Sequence, residues 1–191
     1  MMRDLRLAVV ILAMTCQAIF AQQVRPGASV SDFIVQGMNR RPLNYKSLKG
    51  NITVVMFFST RCPISNAFNF RRNTIYRDFN KRVKFIVVDS NSNESFDEVR
   101  TYSKEVGFDF PVYKDVNNQV ADRFGVMATT DTFVIDANGV IQYRGYIEDA
   151  LNPSRTTRRA LRLAIESLLD GKPVEVGETS ARGCAIRREK P

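Results

Sequence analysis

Apolar positions along the chain fall into runs of two kinds, continuous and periodic. "TVVMFFS" (53–59) and "VKFIVVDS" (83–90) are almost unbroken apolar, β-rich stretches. Such runs mark strands buried on both faces of a sheet. The first is followed by "PISNAFNFRRNTIYRDF", in which Ile64, Ala67, Phe68, Arg71, Ile75 and Phe79 recur at helical spacing. The second leads into "SFDEVRTYSKEVG" (95–107), a helix with Phe96, Val99 and Val106 inward and Gly107 as its stop. "FPVYKD" (110–115) reads as a short strand and "NNQVADRFGV" (117–126) as a short helix ended by Gly125. In "DTFVIDANGVIQYRGYI" (131–147) two β-rich runs meet across Ala137-Asn138-Gly139, which predicts a hairpin. A last helix spans about 153–170, from Pro153-Ser154 to Asp170-Gly171.

Ahead of these elements, 22–32 reads as an extended leader and 32–50 as a short hairpin or irregular arm. No repeat or low-complexity linker interrupts the order β-α-β-α-β-α-β-β-α. That order predicts an α/β fold: a mixed sheet with helices on both faces.

The N-terminus follows a different rule. "MMRDLR" precedes the apolar "LAVVILAMTCQAIF", and Ala21-Gln22 offers a small residue at a cleavage point. This is the pattern of a secretory signal, and the run is shorter than the ~20 residues a membrane span needs. A lipoprotein signal acylated at Cys16 fits "AMTC" poorly. The expected organisation is a signal at 1–21, a domain at 22–172 and a cysteine-bearing tail at 173–191. The mature protein would then be periplasmic or extracellular, meeting the membrane only during export.

Export changes the cysteine arithmetic. Of three cysteines, Cys62 and Cys184 remain, a candidate disulfide pair in an oxidising compartment. The chain has 191 residues and no histidine or tryptophan. Cys–His and Ser–His–Asp arrangements and imidazole-bound zinc are therefore excluded, and no metal or other cofactor is expected. A thiolate-bound Cu(I) lacks a supporting Met/His cluster. The net charge of +8 falls to +7 once Arg3, Asp4 and Arg6 leave with the signal. Its densest stretch, "RTTRRALR" (155–162), reads as the solvated face of a helix, so no nucleic-acid partner is expected.

Cys62 stands where a buried strand gives way to a helix, with Pro63 at the first helical position. A side chain there faces unpaired N–H groups and the positive end of the helix dipole, which favour thiolate. Arg61, and Arg71 or Arg72 further along, would act in the same direction. The alternative is a small buried hydrophobe, but strand–Cys–Pro–helix is not a generic core position.

Strand, "CPIS", helix, strand and the "TFVIDANGVIQYRG" hairpin resemble the thioredoxin-like superfamily over roughly residues 28–170. Within it, "RCPIS" and the tail segment "RGCAIR" (182–187) resemble exported redoxins of the AhpC/TSA-like, peroxiredoxin-like group. The resemblance implies a thioredoxin-like mixed sheet and a thiol-dependent oxidoreductase with antioxidant-type chemistry. Its partners would be protein or small-molecule thiols and disulfides, and peroxide as a further substrate.

The departures are specific. Ser65 stands where thioredoxins carry their second cysteine, and it can offer only a hydrogen bond to a thiolate. Thr130 stands in the usual cis-proline place, in a loop that normally pairs with substrate backbone. The residues before Cys62, "VVMFFSTR", lack the proline of a typical peroxidase segment.

Since attack on a disulfide needs a second thiol for resolution, Cys184 is the internal candidate. A tail of about 14 residues can extend about 45 Å. Three readings of Cys184 stay open: resolving thiol, structural staple of a non-catalytic binding domain, or free thiol. Asp89 and Glu94 are weak candidates for proton shuttles at the same sheet edge. The sequons at Asn51 and Asn93 matter only in a glycosylating source.

Overall fold

All six residues of β3 (Thr53–Phe58) are fully buried, and the rest of the sheet is laid out from this strand. The computed structural model describes residues 24–189. The expected signal, its cleavage point and Cys16 lie outside them. β3 pairs in parallel with β4 (Lys84–Asp89) and antiparallel with β6 (Thr132–Ile135). Beyond β4 come β5 (Val112–Lys114), β1 (Ile34–Gly37) and β2 (Pro42–Asn44), and beyond β6 lies β7 (Ile141–Gly145). The described residues form a seven-stranded mixed sheet in the order β2-β1-β5-β4-β3-β6-β7.

The period of two along each strand divides the core. Val54, Met56 and Phe58, with Phe85, Val87 and Val134, face one layer. There they meet α2 (Asn69–Phe79), α3 (Phe96–Glu105) and α5 (Ala160–Leu169). Val55, Phe57, Ile86, Val88, Phe133 and Ile135 face the other, against α4 (Gln119–Arg123) and the N-terminal arm. Continuous apolar strands are what a sheet covered on both faces requires.

Several expectations need correction. The final helix begins at Ala160, not Pro153. Residues 153–155 form one 3₁₀ turn, after which the Asp149 carboxylate takes the N–H groups of Thr157 and Arg158, each at 3.0 Å. Most of "RTTRRALR" thus precedes the helix instead of forming its face. The helix after Cys62 is broken into α1 (Pro63–Asn66) and α2. At the break the Ser65 carbonyl accepts from the Phe68 N–H (3.0 Å) and the Arg72 guanidinium (2.8 Å). Ala67 is exposed there, and Val106, expected inward, is 38% exposed at the end of α3.

The tail after α5 runs back across the molecule. Along β7 the Gly177 carbonyl accepts from Arg144 N–H (2.8 Å), and Thr179 N–H donates to the Arg144 carbonyl (2.9 Å). A β-carbon on Gly145 would come within 1.9 Å of Thr179 Oγ1, so only glycine admits this crossing.

Candidate active site

β3 and β4 end at one edge of the sheet, and the chain after β3 turns there into α1. The turn at Ser59-Thr60 is held by the buried Glu94 carboxylate. It accepts from Thr60 N–H (2.6 Å), from Thr60 Oγ1 (2.6 Å) and from Ser59 Oγ. Glu94 thereby sets the entry angle of α1 and acts as a clamp, not as a group facing the sulfur.

Cys62 caps α1. Its Sγ accepts the Ser65 N–H at 3.4 Å, the geometry that lets a helix start stabilise thiolate. The side chain of Ser65 has a different task from the one its position suggested. Its hydroxyl oxygen accepts from Ser59 N–H and from Arg72 Nη2, both at 3.1 Å, and its main-chain N–H serves the sulfur. Pro63 occupies the first helical position as expected.

The three arginines separate clearly. Arg61 is solvent-facing and forms a bidentate pair with Glu98 at 2.6 and 2.7 Å, so its charge is spent on α3. Arg71 pairs with Glu148 at 2.7 Å. Arg72 is completely buried and touches no carboxylate among the described residues. It donates instead to the Ser65 carbonyl, Ser65 Oγ, Asn69 Oδ1 and the Phe57 carbonyl. Burial pulls its pKa down to about 9, which still leaves it cationic at neutral pH. Of the two arginines expected further along, Arg71 is paired with Glu148 and Arg72 is the buried cation bonded to Ser65.

Cys184 arrives from the tail and is joined to Cys62 by a disulfide, the Cα atoms 5.9 Å apart. Its own N–H donates to Cys62 Sγ at 3.3 Å. The surrounding tail is docked along the loop before β6. Thr129 N–H donates to the Cys184 carbonyl (2.9 Å), Ile186 N–H to the Met127 carbonyl (3.2 Å), and Thr130 Oγ1 to the Arg182 carbonyl (2.8 Å). Ala128 and Ala185 form an antiparallel bridge. A β-carbon on Gly183 would lie 3.1 Å from the hydroxyls of both Thr129 and Thr130. Further on, Asn91 and Asn118 clamp the backbone of Arg187 and Glu189. Asn118 does so from a left-handed conformation (φ 56°) that asparagine tolerates better than most residues. There is no cis peptide bond among the described residues, so Thr130 fills the loop position with a trans bond and a hydroxyl that holds the tail.

Asp89, at the end of β4, is fully buried and ion-paired to Lys114 at 2.5 Å. Burial pushes its carboxyl up to about 8, with Lys114 opposing the shift. Next to the disulfide edge lies a cleft of about 660 Å³, with Ile64, Phe68, Thr130, Leu151 and Arg182 among its walls.

Three known proteins are similar to this chain. ResA of Bacillus subtilis, a thiol-disulfide oxidoreductase, is 29% identical over 128 residues, covering 65% of this chain and 70% of that protein. The chloroplastic peroxiredoxin Q of Sedum lineare is 29% identical over 136 residues, with the same coverage of 65% and 70%. The crystal structure of a conserved protein from Geobacillus kaustophilus is 23% identical with a TM-score of 0.80, covering 89% of this chain and 95% of that one. The mixed sheet with its flanking helices is the thioredoxin-like fold expected from the sequence. Residues 26–144 match the AhpC/TSA family, a span that includes Cys62 and stops before the tail carrying Cys184. With well over half its length inside that match, the chain belongs to the AhpC/TSA family.

Proposed function

We propose that this thiol-dependent oxidoreductase is an exported redoxin that exchanges disulfides through Cys62, with Cys184 as its resolving thiol. The observation that carries the reading is the pairing of a helix-capping cysteine with a tail cysteine already in bonding contact. In the reduced protein the Cys62 thiolate attacks a sulfur of the substrate disulfide and expels one substrate thiolate. The Cys184 thiolate then attacks Cys62 Sγ, forms the internal disulfide and releases the second substrate thiol. Two electrons pass to the substrate, and an external dithiol restores the pair. Ser65 has no part in resolution. The basic stretch, apolar run and small residue before Gln22 at 1–21 support export.

An equilibrium titration in glutathione buffers, quenched with acid, alkylated and read by intact mass, tests this. The Cys62–Cys184 bond is expected to open within about −120 to −270 mV, the range of disulfide-exchange proteins. A bond that survives below about −300 mV would be a structural staple, and the catalytic reading would fall.

Peroxide is the second candidate substrate, favoured by the likeness to a peroxiredoxin. Attack of the thiolate on hydrogen peroxide gives a sulfenic acid and hydroxide. Condensation with Cys184 then gives the same disulfide and water. Competition between peroxide and a protein disulfide for the reduced pair separates the two.

A further inference from the structure

We infer, resting on the redox reading above, that the cleft beside the disulfide selects the thiol that reduces it. Arg155 and Arg182 make it specific for a polypeptide thiol flanked by carboxylates. Three features of the oxidised protein carry the assignment: an apolar floor, two unpaired cations and a backbone already fixed.

The cleft of about 660 Å³ is lined by Ile64, two residues after Cys62, and by Arg182, two residues before Cys184. The segments that carry the two sulfurs therefore border one space. Its apolar surface comes from Ile64, Phe68 and Leu151. Leu151 stays 50% exposed although its carbonyl is tied to Arg71 Nη2 at 2.7 Å. An apolar side chain held out in water on an anchored backbone suits a partner that brings an apolar side chain of its own.

The charges of the cleft are unequally engaged. Glu148 is paired with Arg71 at 2.7 Å and accepts from Thr156 Oγ1 at 3.1 Å. The Asp149 carboxylate is taken up by the N–H groups of Thr157 and Arg158. Arg155 and Arg182 are exposed, and among the described residues neither guanidinium has a hydrogen-bond or ion-pair partner. Their main chains are nevertheless held. Arg155 N–H donates to the Asn152 carbonyl (3.0 Å), and the Arg182 carbonyl accepts from Thr130 Oγ1 (2.8 Å). Two anchored, unpaired cations beside an apolar floor complement carboxylates that flank an apolar side chain. A backbone fixed in advance lowers the cost of ordering the complex.

Reduction by such a thiol needs no further reactant. The thiolate of one peptide attacks a sulfur of the Cys62–Cys184 bond, forming a mixed disulfide and releasing the other protein thiolate. A second peptide thiolate attacks the peptide sulfur of that bond, forming a peptide disulfide and releasing the second protein thiolate. The peptides lose two electrons and the protein gains two. A dithiol partner performs both steps from one chain.

The test follows reduction of the oxidised full chain by the pentapeptide thiols Leu-X-Cys-X-Leu, with X glutamate, glutamine or lysine. Each rate is divided by that peptide's rate on neutral 2-hydroxyethyl disulfide, which removes differences in thiolate fraction. The glutamate peptide is expected to outrun the glutamine peptide by about fivefold, with the lysine peptide slower by a similar factor. Both differences should shrink in about 0.5 M salt. Arg155→Glu and Arg182→Glu should each erase the preference, and the double variant should reverse it. Lys81→Glu makes the same change in net charge at an exposed position before the start of β4, and should leave the preference in place. Equal rates for the three peptides, or a preference lowered as much by Lys81→Glu, would overturn the assignment and leave the redox couple intact. A bond opened by glutathione but by none of the peptides would likewise remove the docking site. A bond that resists the peptides and strongly reducing glutathione buffer overturns the redox couple itself, and this assignment with it.

Discussion

The two sulfurs of the site are held by different physics. Cys62 sits at the end of a strand whose six residues are fully buried, on a turn clamped by Glu94 and a helix underpinned by Arg72. Its position is a consequence of the hydrophobic core, and moving it means disturbing that core. Cys184 lies on a segment without helix or strand of its own, fastened by backbone hydrogen bonds to three separate loops and by one buried side chain, Ile186. Hydrogen bonds of this kind can be exchanged for bonds to water at a small net cost each. The proposed mechanism keeps one sulfur fixed and requires the other to be removable. A resolving thiol that must make way for a substrate needs that difference.

The largest effects should come from the thiols themselves. Cys62→Ser is expected to abolish disulfide exchange, with at least about a thousandfold loss in the rate of a reduced-substrate assay. Cys184→Ser should keep the first step and accumulate a substrate adduct on Cys62 visible by intact mass. Equal losses without an adduct would erase the distinction between the fixed and the removable sulfur.

Stability should show the same asymmetry. Phe57→Ala removes a ring packed against Phe124 and Phe133 and should cost about 3–5 kcal/mol in urea unfolding. Ile186→Ala removes a side chain at the margin of the same cluster and should cost roughly 1–2 kcal/mol. The second cost is expected to shrink further when the disulfide is reduced, because the tail then contributes less to the folded state. If Ile186→Ala cost as much as Phe57→Ala in both redox states, the tail would be part of the core.

The sheet edge itself should respond to pH. Burial raises the carboxyls of Asp89, Asp115 and Asp131, Asp89 to about 8. Between about pH 4, where an unfolded carboxyl titrates, and about pH 8, the folded chain keeps a proton on Asp89 that the unfolded chain has lost. That contribution to stability is complete at the acid end and is lost as pH rises through the window. The urea unfolding free energy at pH 5 should therefore exceed that at pH 8 by about 3–4 kcal/mol from this source, and Asp89→Asn should flatten the difference. An unchanged slope in Asp89→Asn would mean that Lys114 keeps the carboxylate ionised throughout.

The sequence was informative where structure is local. Strand, cysteine, proline and helix are neighbours in the chain, so the seat of Cys62 was legible from a dozen residues. The tail was not, because its partners at Asn91, Asn118 and Met127–Thr130 are scattered and polar and leave no periodic trace. The break after Ser65 was equally hidden, since it depends on Arg72 turning inward to capture a carbonyl, where a stripe of apolar spacing suggested one continuous helix. Pro153-Ser154 looked like a helix start. It yields only a 3₁₀ turn, because Asp149 caps the amides that a helix would have used.

The finest test of removability is Thr130→Val, which keeps the shape of the side chain and deletes its 2.8 Å hydrogen bond to the Arg182 carbonyl. If the tail lifts once the disulfide is reduced, the lost bond weakens only the oxidised form, by about 1 kcal/mol. The Cys62–Cys184 bond then becomes easier to reduce, and its potential rises by roughly 20 mV. Gly183→Ala should shift the potential in the same direction, since its new methyl would press on the hydroxyls of Thr129 and Thr130. A potential unmoved by either change would mean that the tail stays docked in both redox states. Cys62 would then remain roofed after reduction, and its substrates would have to be small enough to reach it past Cys184.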